Sequence, residues 1–259
     1  MILDAVATIG RGTITACQAA GGVALFAATG ISHLFRPPFY WRMFCQAFVE
    51  IAYFSLPVVA LTAIFTGMVL ALQSFTGFSR FSAEGAVANV VVLSVTRELG
   101  PVLAGLMVAG RVGAAMAAEI GTMRVTDQID ALSTLSTNPM KYLVAPRLLA
   151  GTIALPLLVV VADILGVFGG FIVATAKLGF NPENYLQKTM EFMQAEDVIS
   201  GLVKAAVFGF TIALMGCYQG YRSRGGAEGV GAATTSSVVA ASILILAFDY
   251  VLTEMFFAR

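Results

Sequence analysis

The sequence predicts an all-helical integral membrane protein. Three observations carry the prediction: 58% of the 259 residues are hydrophobic, only 12% are charged, and several uncharged runs reach bilayer-crossing length. Soluble domains carry roughly 25% charged residues, and a helix needs about 20 apolar residues to cross the hydrocarbon core. Residues 51–79 and 229–248 hold no Asp, Glu, Lys or Arg. Such continuous runs indicate helices, because barrel strands alternate in polarity over about ten residues. Mean hydropathy is +0.87. Formal charges cancel, so nothing in the composition points to nucleic acid.

Residues 1–48 form an interfacial or elbow region. Residues 12–35 lack formal charge but are diluted by Thr13, Thr15, Gln18, Gly21, Gly22, Thr29, Gly30 and Ser32. They fit a crossing helix or one lying along the surface, and the in-plane placement is preferred. Arg36-Pro37-Pro38 ends the segment, since proline cannot continue a helix and pushes its predecessor out of the α region. Residues 39–48 mix Phe39, Tyr40, Trp41, Phe44 and Phe48 with Arg42 and Gln46, the composition of a headgroup-level helix. Residues 1–10 have no basic n-region, so no cleavable signal peptide is expected.

Five spans follow. The first covers 51–73, with Pro57 and Gly67 inside; beyond it Phe75, Phe78 and Phe81 alternate with Gly77 and Arg80. The second covers 85–118 and is expected to break at Gly100-Pro101. The third, 148–176, carries Pro156 and Asp163. Residues 177–197 are polar and long enough for a short helix. The fourth span, 199–221, holds Lys204, and the fifth, 229–258, holds Asp249 and Glu254. No internal repeat is visible, so residues 1–259 are read as one domain. Arg36, Arg42, Arg124, Lys141, Arg147, Arg222 and Arg224 fall on one side, against Arg80, Lys177, Lys188 and Arg259 on the other, which makes the first side cytoplasmic.

Function is expected to centre on residues 95–135. Arg97 and Glu98 lie about twelve residues into their span, near mid-depth at 1.5 Å per residue. A charge there costs on the order of 3 kcal/mol on insertion scales, so it faces protein or a wet cavity. One reading makes both structural ion-pair partners of Lys204 or Asp163; the other gives them a polar headgroup or a gate. Asp163, Lys204, Asp249 and Glu254 fit either structural pairing or a proton relay. Gly105, Ala109, Gly113 and Ala117 recur every fourth residue and offer a packing ridge or a homodimer seam. Residues 119–135 place Val125, Ile129, Leu132 and Leu135 on roughly one face of a helix, which fits either a solvated loop helix or a docking element for a motor protein.

Other chemistry is sparse. Cys17, Cys45 and Cys217 lack metal-ligand spacing and read as core or lipid-facing thiols. The run Gly-Gly-Ala-Glu-Gly-Val-Gly at 225–231 lacks the Gly-Lys-Ser/Thr ending of a phosphate loop and reads as a turn. The single histidine, His33, has no catalytic neighbour in sequence. Any ATP hydrolysis must come from another chain. Three classes therefore stand: the membrane subunit of an ATP-driven transporter, an ion-coupled secondary transporter using Asp163, Lys204 and Asp249, and a non-transporting membrane scaffold.

The runs Gly67-Met-Val-Leu-Ala-Leu-Gln73, Thr96-Arg-Glu-Leu-Gly-Pro-Val102 and Ala109-Gly-Arg-Val-Gly113 resemble the MlaE (YrbE) family. So do the fifteen residues from Ala118 to Leu132 and Gly226-Ala-Glu-Gly-Val-Gly-Ala-Ala-Thr-Thr235. These are permease subunits of ABC transporters that move phospholipids between inner and outer membranes and contribute to outer-membrane lipid asymmetry. The resemblance covers the chain from about residue 51. It implies a multi-pass protein of the bacterial inner membrane, homodimeric, with an in-plane N-terminal helix and five spans. It also implies a cytoplasmic ABC ATPase dimer that binds ATP and Mg, a STAS-domain regulatory subunit and a hexameric periplasmic MCE-domain protein. No cofactor or metal is expected in this chain. By position, the lipid chamber at the dimer seam would involve Leu70, Phe78, Phe81, Arg97, Glu98 and Leu99. Coupling to the ATPase would involve Glu119, Arg124, Val125, Asp127, Ile129, Asp130 and Leu132.

Overall fold

A computed structural model describes residues 2–257, with the side chains of residues 2–9 and Ala16 outside that description. Ala258, the expected end of the last span, and Arg259, counted for orientation, also lie outside it. The described chain is almost entirely helical: α1 (Ile2–Leu34), α2 (Trp41–Phe78), α3 (Glu84–Val125), α4 (Gln128–Thr134), α5 (Met140–Ala176), α6 (Pro182–Phe192), α7 (Ala195–Tyr221) and α8 (Gly226–Phe257). Six of these, α1 from Gly10 onward, α2, α3, α5, α7 and α8, are long and apolar enough to cross a membrane, one more than the five expected. The start of α2, the end of α3, the start of α5, the end of α7 and the start of α8 share one end of the bundle, and the arginines at 36, 42, 124, 147, 222 and 224 lie near it. This is the basic end.

The bundle is held together where glycines let backbones approach. A Cβ on Gly67 of α2 would come within 1.8 Å of the Gly166 carbonyl of α5, and one on Gly209 of α7 within 2.1 Å of the Gly151 carbonyl. Close approach of this kind is how helices associate where lipid removes the hydrophobic drive between them. Around these crossings Ile51, Val59, Val108, Leu148, Leu155, Val159, Phe208 and Ile212 form the buried core.

The expected break at Gly100-Pro101 does not occur. Helix α3 runs through it, and the preceding turn, Val95–Leu99, widens into a π-helix in which the Gly100 N–H reaches the Val95 carbonyl. Pro101 cannot donate to the carbonyl of Arg97 four residues back, and the extra residue in the turn absorbs the clash its ring would make. The same device recurs in α5, where the π-turn Met140–Val144 precedes Pro146. A further π-turn in α3, Ala109–Gly113, has no proline after it.

Helix α1 packs across the basic end. Phe26 meets the rings of Tyr218 and Tyr221 at 5.5 and 5.9 Å, near the end of α7. Eight residues after Gly22, which abuts Tyr218, Gly30 abuts Leu148 near the start of α5. Ser82 adopts positive φ (54°) in the link from α2 to α3. At the opposite end α6 is capped by Asn181, whose side chain accepts from the Glu183 and Asn184 backbone N–H groups, with Pro182 in the first turn. Tyr185 seats α6 against Phe171 and Phe180 at 5.9 and 6.1 Å. Its burial pushes the phenol up to about 12.

Candidate functional site

The charged residues at 97 and 98 are gathered by the π-turn. Arg97 projects toward the first turn of α7, where its guanidinium meets Asp197 Oδ1 at 2.6 Å and lies 4.2 Å from the Phe257 ring centre. Asp197 is also the capping-box acid of α7, its other oxygen accepting from the Gln194 N–H at 3.0 Å. The partner of Arg97 is thus neither Lys204 nor Asp163, and its level is the outer turn of α7, not mid-span. Glu98 points elsewhere, to Lys204 Nζ at 2.8 Å, with Thr253 donating to its other oxygen at 3.1 Å.

Lys204 is the hub. Its side chain is 0% exposed. Its three N–H groups reach the Arg97 carbonyl (3.0 Å), Glu98 Oε2 (2.8 Å) and Thr253 Oγ1 (2.7 Å), and Asp249 adds a second carboxylate at 2.9 Å. The structural reading of Glu98 thus holds for its partner. Even so, Glu98 remains 37% exposed and Arg97 32%, so both keep a face outside the bundle.

Asp163 stands apart from this cluster. It lies against Gly100, with one oxygen unpartnered, beside a groove of about 580 Å³ between α5 and α6 that Phe168, Tyr185 and Met190 also line. The acids read together as a relay are therefore separated: Asp249 meets Lys204 and Asp163 does not.

The apolar candidates divide between two places. Leu70 and Phe78 pack with Val87, Val91 and Val95 near the end opposite the basic one, while Leu99 lies in a narrow cleft between α2 and α3 with Thr62, Thr66 and Leu103. Phe81 is 81% exposed. Within one protomer the six residues line no single cavity. Asp197, Thr253 and Asp249 complete the polar cluster, and only Asp249 carried a sequence signal, as an acid within a span.

At the basic end, residues 119–135 do not form one helix. Helix α3 continues to Val125, Asp127 takes a left-handed conformation (φ 57°), and the short α4 follows. Asp and Asn tolerate that conformation better than most residues, which places the corner at Asp127. Ile129 is buried, Val125 and Leu132 half-buried, and Leu135 is 74% exposed. Arg124 pairs with Asp130 at 2.7 Å, and Glu119 pairs with Arg147 of α5 at 2.7 Å. The ridge of Gly105, Ala109, Gly113 and Ala117 packs inward: Gly105 meets Phe208 and Ile245, and Gly113 meets Ile212 and Ser237. It is a packing ridge within the protomer.

A multi-pass helical bundle with a buried ion cluster and a charged corner at its basic end is the frame in which the comparisons fall. Residues 44–255 match the model of the family described as Permease MlaE. The chain belongs to the MlaE permease family. Probable ABC transporter permease proteins of Rickettsia felis and Rickettsia bellii are 57% and 56% identical over 257 residues, covering 99% of each chain. The intermembrane phospholipid transport system permease protein MlaE of Haemophilus influenzae is 35% identical over 206 residues, 78% of each chain. As an MlaE-family ABC transporter permease, the chain is a membrane component of a kind that works with an ATPase partner.

Proposed function

We propose that this permease moves phospholipids between the inner and outer membranes of a bacterium, driven by ATP hydrolysed in a partner ATPase, and so contributes to outer-membrane lipid asymmetry. The observation that carries the proposal is the partly exposed Glu98–Arg97 edge beside an apolar cleft. A carboxylate and a guanidinium suit a zwitterionic or anionic headgroup, and the apolar surface of α2 and α3 suits acyl chains. Two copies are needed, because Leu70, Phe78, Phe81, Arg97, Glu98 and Leu99 surround a chamber only when α2 and α3 of one protomer face those of another.

In this reading the basic end is cytoplasmic and α1 lies in the membrane plane. Gly22 abuts α7 at Tyr218 and Gly30 abuts α5 at Leu148, while Gly151 and Gly209 set α5 and α7 level with each other nearby. The corner at Glu119, Arg124, Val125, Asp127, Ile129, Asp130 and Leu132 receives an ABC ATPase dimer, which holds the ATP and Mg. A STAS-domain subunit on that ATPase and a hexameric MCE-domain ring on the periplasmic side complete the assembly. ATP-driven closure pushes the corner and narrows the chamber; no covalent step falls to this chain. The test is ATP-dependent phospholipid transfer from liposomes by the reconstituted complex: Glu98→Gln lowers the rate with assembly intact, and an unchanged rate removes the headgroup role.

A further inference from the structure

Asp163 is buried on α5 without a cation. It is 9% exposed, its Oδ1 is sealed against Gly100 with no hydrogen-bond partner, and no base pairs with it among the described residues. A Cβ on Gly100 would come within 2.0 Å of that oxygen, so the glycine of α3 is what makes room for the carboxyl. An acid held inside a span at a cost marks a site, and the element it lacks is a hydrogen-bond donor.

What little of Asp163 is uncovered belongs to the groove of about 580 Å³ between α5 and α6, which the residue lines. The other walls are apolar, with Ile164 and Phe168 of α5 and Leu186 and Met190 of α6 exposed along them. Helix α6 carries Glu183, Gln187, Lys188 and Glu191 exposed, as a headgroup-level helix does. Its Tyr185 meets Phe171 of α5, and Asp163 precedes Phe171 by about 12 Å of helix, which sets the carboxyl on the acyl-chain side of the headgroups. A donor that arrives there has to be carried by an apolar body, since charged headgroups stay in water. The volume is that of one small ligand, too little for a two-chain lipid with its headgroup.

We propose that this groove binds a neutral, single-chain lipid alcohol, whose hydroxyl donates to the Asp163 carboxyl and whose hydrocarbon lies against Ile164, Phe168 and Met190. Val92 and Thr96 of α3 also line the groove, so the occupant packs against the segment that enters the π-turn and orients Arg97 and Glu98. The ligand differs from a phospholipid in chain number and head, and the site is separate from the Lys204 cluster.

The test is photolabelling of the full-length chain in nanodiscs of phosphatidylcholine, a lipid with no donor on its head. The probe is a long-chain alkanol carrying a diazirine, compared with its methyl ether, which keeps the hydrocarbon and loses the donor. The alkanol labels residues 160–171 and 185–198 saturably, and the ether labels them about tenfold less, the worth of one hydrogen bond to a carboxylate. Asp163→Leu brings the alkanol down to the level of the ether and leaves the melting temperature equal to or above that of wild type, because no bare acid remains to bury. Met190→Trp fills the groove from a position that is 70% exposed, and loses the label with Asp163 intact. Equal labelling by alkanol and ether, or alkanol labelling unchanged in either variant, overturns the site. The readout needs neither an ATPase nor lipid transfer, so its failure leaves the proposed function standing.

Discussion

Lys204 Nζ donates to the backbone carbonyl of Arg97 at 3.0 Å. That carbonyl lies four residues before Pro101, which has no N–H to give it, and the lysine of α7 supplies a donor there. The lysine gains a fixed acceptor inside the bundle, and the widened turn turns Glu98 toward it. The polar cluster is thus as much a consequence of backbone chemistry as of charge pairing.

Removing the lysine tests this directly. Lys204→Met leaves Glu98, Asp249 and the Arg97 carbonyl without their donor, and breaking a buried pair typically costs about 3–5 kcal/mol. We expect a markedly lower melting temperature in detergent. The triple variant Lys204→Met, Glu98→Gln, Asp249→Asn recovers most of the loss, because no unpaired charge remains. A single variant as stable as wild type would refute the hub.

Arg97 and Glu98 separate by readout. Arg97→Ala releases Asp197 and so loosens the first turn of α7, which lowers thermal stability by about 1–3 kcal/mol. Glu98→Gln keeps the Lys204–Asp249 contact and the fold, and lowers lipid transfer. Melting curves and transfer rates on the same preparations check the division.

Backbone contact sets a further expectation. At Gly67 a Cβ would overlap the Gly166 carbonyl, so Gly67→Ala forces α2 and α5 apart and reduces the folded yield. Gly77, with open space at its Cβ position, tolerates alanine. Size-exclusion profiles of the two variants make the comparison.

The corner at the basic end predicts how the ATPase is held. Leu135→Asp places a charge on the most exposed apolar side chain there and releases the ATPase on affinity purification, with the permease fold unchanged. Asp130→Arg, which also breaks the Arg124 pair, does the same. A retained ATPase in both would place the docking surface elsewhere.

Much of this was legible in the sequence. Uncharged runs located the spans, and an acid–base count within them found Glu98 and Lys204. The π-turns were not legible, because a proline reads as a break when a 3.6-residue period is assumed throughout. The pairing of Arg97 with Asp197 joins residues 100 apart and leaves no periodic trace. The inward ridge and the outward face of Gly110, Ala114 and Ala118 differ by one position, and composition alone could not say which faced the protomer's own core. The single helix read into 119–135 ignored the left-handed corner that Asp127 permits.

The central claim is that two copies of this chain enclose phospholipid above a cytoplasmic ATPase. Native mass spectrometry of the complex released from membranes in mild detergent measures it most directly. We expect two permease chains, two ATP-binding chains and bound phospholipid in one particle, with the lipid reduced by Glu98→Gln. A particle holding a single permease chain and no lipid would contradict the account.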